Sequence, residues 1–188
     1  MKNLFFAYIL LALSSCDLLT EKVSLQDKMN EKVQELTEMS ELGTTEYTIT
    51  KIVKASDASW YKVGDRKILF TCKATLKAGI DLSQFSSADV LINEEQKSVK
   101  VTLPKAKLLS LNMPAEEAKL AYEKVSLTRS DFSAEERSNL LKQGEESILE
   151  SVPSLGILEE AEKNAASFFK AMLKQAGFNN ITIGFAQK

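Results

Sequence analysis

The chain has 188 residues, with 24 lysines and arginines against 26 aspartates and glutamates, no histidine and two cysteines. A balance this even lacks the basic block expected of a nucleic-acid or polybasic lipid binder. Without histidine, Ser-His-Asp and Cys-His catalysis and histidine-ligated zinc are excluded.

At the N-terminus Lys2 precedes an apolar run over residues 4–13 and the small residues Ser14 and Ser15, the layout of a secretory signal peptide. Ten apolar residues fall short of the roughly 20 that span a bilayer. Leu13-Ser14-Ser15-Cys16 resembles a bacterial lipobox, the pattern in which the cysteine receives a diacylglycerol and becomes the new N-terminus. Cys16 is therefore the expected lipidation site, with residues 1–15 as leader. Acyl burial contributes about 0.8 kcal/mol per methylene, so two or three chains anchor firmly where one is marginal. The expectation is a domain held to a membrane of the bacterial cell envelope on its periplasmic side, with an envelope protein as partner. Once Cys16 is lipidated, Cys72 has no intramolecular partner, so no disulfide is expected, nor a disulfide-linked partner.

Residues 17–42 are polar and helix-friendly, with Val23, Met29, Val33, Leu36 and Met39 loosely periodic; they read as a tether that becomes a helix ending at Gly43. Residues 44–56 are rich in Thr, Tyr, Ile and Val, with Tyr47, Ile49 and Val53 on one face of a strand. A loop carrying Trp60 and Tyr61 follows. In residues 66–79, Ile68, Phe70, Cys72, Ala74, Leu76 and Ala78 alternate with polar positions, the period of a half-buried strand that puts Cys72 on the apolar side. Residues 88–93 and 98–103 read as a hairpin across Glu94-Glu95-Gln96-Lys97, stopped at Pro104, and residues 107–112 as a further strand.

Beyond Pro114 the period changes. Residues 115–124 read as a short helix. Ser133 and Glu136 form a capping box opening a longer one, with Leu140, Leu141, Ile148 and Leu149 apolar and Pro153 ending it. A third helix over residues 155–176 carries Leu158, Ala161, Ala165, Phe168, Met172 and Leu173 on a broad stripe, and Gly177 stops it. Ile181, Ile183 and Phe185 then alternate as a terminal strand. The fold class is α+β: an antiparallel sheet of about five to six strands, an N-terminal meander plus the C-terminal strand, packed against two or three C-terminal helices. A helical tether (residues 16–42) precedes this single domain (residues 43–188).

Four stretches, KATLKAGIDLSQF, VKVTLPKAKLLS, ILEEAEKNAASFF and AGFNNITIGF, together resemble a bacterial family catalogued as domain of unknown function 4230, over residues 43–185. The resemblance implies a membrane-anchored envelope protein and supplies neither catalytic residues nor a cofactor. Two function classes follow. One is a non-catalytic module binding a partner near the membrane; the other is an enzyme using carboxylates such as Asp81 or Asp89. No calcium-loop pattern, carboxylate spacing or convincing S-x-x-K supports the second, and neither cofactor nor metal is expected. Asp81, in the Gly79-Ile80-Asp81-Leu82 stretch, and the rings of Trp60 and Tyr61 are the candidate contacts to a ligand or partner. Bonding of Asp81 to nearby backbone amides and a core-lidding role for the rings are the plainer alternatives.

Overall fold

The computed structural model describes residues 24–57 and 63–187; Cys16, Trp60 and Tyr61 lie outside the described residues. Helix α1 (Leu25–Glu38) leads into two long strands, β1 (Glu41–Asp57) and β2 (Arg66–Asp81). Strands β3 (Val90–Asn93), β4 (Ser98–Leu103), β5 (Ala106–Asn112) and β6 (Lys119–Val125) follow, then helices α2 (Ala134–Ser151) and α3 (Ile157–Gln175), and β7 (Asn180–Phe185) closes the chain. The α+β class and the order of strands before helices are those the pattern implies.

The strands divide between two sheets. In the first, β2 pairs antiparallel with β1 on one side and, on the other, with β5 along Thr75 to Ile80 and β6 along Arg66 to Thr71. In the second, β4 lies between β3 and β7. Only Pro104 and Lys105 separate β4 from β5, so the stop at Leu103-Pro104 is also where the chain changes sheet. Strand β7 runs parallel to β4, a pairing that requires a long crossover, here the whole stretch from β5 through α3.

Three elements differ from the sequence expectation. Residues 115–124 form a single 3-10 turn (Ala115–Glu117) and then β6. Leu120 and Tyr122 are exposed, so a helix here has no apolar stripe to bury, whereas the backbone of β2 beside them needs hydrogen-bond partners. Helix α1 stops at Glu38, with Ser40 in the left-handed conformation (φ 60°), because β1 claims Glu41 to Gly43 for pairing with Gly79 to Asp81. In α3, Phe169 is the core ring and Phe168 turns outward, since burial follows a spacing of four through Ala161, Ala165, Phe169 and Leu173.

Local signals account for the helix ends. The Ser133–Glu136 capping box is formed in both directions, with the Glu136 N–H donating to Ser133 Oγ at 3.1 Å and the Ser133 N–H to Glu136 Oε2 at 2.8 Å. At the end of α3 Gly177 takes φ 105°, its N–H donates to Lys174 O and that of Phe178 to Leu173 O, a Schellman stop with Phe178 buried.

The core follows β2 in three compartments. At its C-terminal end Ile80 and Leu82 meet α1, the second sheet and the last turns of α3. In the middle Ala74, Leu76 and Ala78 meet Ile148, Val152, Ile157 and Ala161 at the α2–α3 junction. At the N-terminal end Ile68, Phe70 and Cys72 meet Val53, Phe132 and Leu140. Gly79 owes its place to proximity: a β-carbon there would stand 2.1 Å from the Leu42 carbonyl oxygen of β1.

Candidate binding groove

Ser24 caps α1 by accepting from the Asp27 N–H, and Met29, Val33 and Leu36 turn one face of the helix into the core. The start of α1 lies against the end of α3: a β-carbon on Gly177 would be 3.7 Å from Leu25 Cδ2. Met39, just past the far end of α1, and Phe168 of α3 line the same cleft, of about 470 Å³, between the two helices. Met29, Leu36 and Leu173 form its buried floor. Met39 (53% exposed), Phe168 (44% exposed) and Met172 line its sides, and Lys32, Glu35 and Gln175 supply a polar rim. The Phe168 ring is held edge-on to Phe169 at 5.8 Å, and Phe169 likewise to Phe85, so the wall is braced from the core. Unbranched methionines let such a surface adapt to the shape of an apolar partner.

Of the residues singled out from the sequence, Asp81 is described and sits at the end of β2. Its Oδ1 accepts the Ser83 N–H at 3.0 Å, and Lys107 Nζ lies 2.6 Å from Oδ2. These bonds, with Lys107 foremost, hold the carboxyl well below its usual range. Asp81 pairs with the Glu41 end of β1, whereas Asp57 and Val63, which flank residues 58–62, lie at the opposite end of the hairpin. Asp81 is thus about 50 Å of strand away from Arg66, the partner of Asp57. Asp89 accepts the Ser86 N–H at 3.0 Å within a 3-10 turn. Cys72 is buried on the core face, and burial pushes its thiol up.

Two carboxylates do meet, around a buried arginine that no sequence spacing indicates. Arg66 Nη2 lies 2.7 Å from Glu136 Oε1 and 3.1 Å from Asp57 Oδ2, its guanidinium stacks 4.5 Å from the centre of the Phe132 ring, and Arg129 also pairs with Asp57. Arg66 holds the Glu136 carboxyl down to about 2, so it is ionised at neutral pH and bonded to a cation. This cluster ties the Asp57 end of the hairpin to the start of α2. Both faces of the groove were legible in the sequence, Met29, Leu36 and Met39 as loosely periodic and Phe168, Met172 and Leu173 as one stripe, but that they form one cleft follows only from how the helices come together.

Among the described residues no helix is long and apolar enough to cross a membrane, and no three His, Cys, Asp or Glu side chains are placed to hold a metal ion. The family model described as Protein of unknown function (DUF4230) matches residues 34–183, most of the chain. No curated protein and no solved structure matches it.

Proposed function

Because the chain belongs to the DUF4230 family, whose description assigns no activity, we propose from its own residues that it is a lipid-anchored envelope module that binds a protein partner without catalysing a reaction. The apolar groove between α1 and α3 carries the reading. Its occupant is a juxtamembrane amphipathic helix of another envelope protein, laid into the cleft by its apolar face while its polar face meets the rim, where Lys32 and Glu35 offer both signs of charge. Position supports this. If Cys16 bears the lipid, the eight residues 17–24 reach at most about 28 Å, so α1 and its groove stay within that distance of the anchor plus the length of the helix.

The test is site-specific photo-crosslinking in membranes, with a benzophenone side chain at position 168 in the groove or at position 124 on β6. A protein adduct from 168, absent from 124 and mapping to a helical segment beside a membrane anchor, is the expected result. Equal adducts from both positions, or none from 168, overturn the reading.

A further inference from the structure

Among the described residues, the four other strands at sheet edges are protected against stray pairing, and β7 is not. Exposed edges are ordinarily blunted by charge, shortness, proline or bulges. Strand β1 carries Glu41, Glu46, Lys51, Lys54 and Asp57 and a bulge at Gly43/Thr45; β5 carries Lys107; β6 carries Lys119, Glu123 and Lys124; β3 is four residues long. The β7 sequence, Asn-Ile-Thr-Ile-Gly-Phe, has neither charge nor proline.

Its free hydrogen-bonding groups can be identified. The N–H of Asn180 donates to Lys97 O and that of Ala186 to Leu103 O, so the even-numbered residues face β4. By the two-residue period of a strand, Ile181, Ile183 and Phe185 direct their N–H and C=O groups to the open side. That side is walled. Lys163, Ala166, Ser167 and Lys170, at helical spacings of three and four on α3, form with Ile181 and Ile183 a groove of about 290 Å³ along the edge. The wall is small in the middle and cationic at both ends, and among the described residues neither Lys163 nor Lys170 has an ion-pair partner.

We infer that the cleft between the β7 edge and α3 is a second binding site, which takes an extended acidic peptide as an added strand of the sheet. Backbone pairing to Ile181, Ile183 and Phe185 supplies sequence-independent affinity, and Lys163 and Lys170 select acidic side chains on the face turned to the helix. A second copy of this chain is the poorer occupant, because two-fold pairing of β7 strands brings both protomers' Lys163 and Lys170 to one seam. The site shares no residue with the groove between α1 and α3 and does not depend on lipidation, so it stands or falls separately from the reading above.

The test uses the full chain in detergent and fluorescent blocked nine-residue peptides of alternating glutamate and valine, with a lysine-valine peptide for comparison. The expected result is salt-sensitive binding of the acidic peptide, weakened at least tenfold by Lys163→Glu with Lys170→Glu. N-methylation of one alternate set of peptide amides abolishes it and of the other set leaves it intact. Exchange of the Ile181, Ile183 and Phe185 amides slows on binding. The inference is overturned if no acidic peptide binds, if the lysine-valine peptide binds equally, or if both N-methylated sets bind alike. It is also overturned if those three amides are already protected, without peptide, in a concentration-dependent dimer.

Discussion

A β-carbon added to Gly144 of α2 would stand 2.5 Å from Val53 Cγ2 of β1, so helix and strand touch there with no room for a methyl group. Gly144 lies one turn from both Leu140 and Ile148, and the three make the buried stripe of α2. The glycine costs helix propensity and is kept for closeness. Gly144→Ala gains about 1 kcal/mol of helix propensity against an overpacking cost of about 1–3 kcal/mol. The expected outcome is a net loss of up to about 2 kcal/mol, read as a melting midpoint lowered by roughly 2–4 °C per kcal/mol. Adding Val53→Ala should relieve the contact, so that the second substitution destabilises the Gly144→Ala chain less than the parent. A Gly144→Ala chain that melts above the parent would refute the contact.

The arginine cluster makes stability fall in acid. Arg66 and the Ser133 N–H depress the Glu136 carboxyl from its ordinary 4.5 to about 2 in the folded chain. A depressed acid contributes stability that is full above its unfolded value and is lost as pH falls through the folded one, here between about pH 4.5 and pH 2. Glu136→Gln keeps an acceptor for the Ser133 N–H while removing the titration. Denaturant melts across that window should show a shallower fall for the variant than for the parent. Identical slopes would mean that Arg66 does not perturb Glu136.

Cys72 is walled in by the core compartment of Ile68, Phe70 and Phe132, and burial disfavours its thiolate. Iodoacetamide should leave it unmodified in the native chain at neutral pH and alkylate it in urea, followed by intact mass. Fast native labelling would place it outside the core.

Strand β7 is integral to the second sheet. Its neighbour Phe178 is buried, and Ile181, Ile183 and Phe185 pack against the same cluster as Val99, Val101 and Leu103. Each such side chain, if fully buried, contributes about 1.5–3 kcal/mol, against a typical net stability of about 5–15 kcal/mol. Removing residues 179–188 should abolish cooperative melting and expose the chain to protease. A truncated chain melting cooperatively near the parent midpoint would mark these residues as dispensable.

The proposed lipid anchor depends on Cys16 alone. Cys16→Ala should move the protein from the detergent-extractable to the soluble fraction, or leave its leader unprocessed, while a chain with Cys72→Ala stays membrane-bound. Retention of Cys16→Ala chain in salt-washed membranes, with the leader removed, would rule out lipid anchoring.

Features that depend on neighbours along the chain are legible in the order of its residues. The period of two in residues 66–79, the Ser133–Glu136 box and the Gly177-Phe178 stop each state a local conformation, and each is present in the fold. Features that depend on distant partners were settled by packing. Residues 119–125 became a strand because the β2 edge beside them was open, and β7 joined β4 in parallel because α3 delivers it from that direction. Arg66 found Glu136 across 70 residues, and Met39 and Phe168 came to line one cleft only when the fold brought α1 and α3 together. Hydrophobic period and capping act over a turn or two and can be read in order. Grooves, sheet edges and buried ion pairs are made where elements cross, and crossing is fixed by the packing of the whole chain.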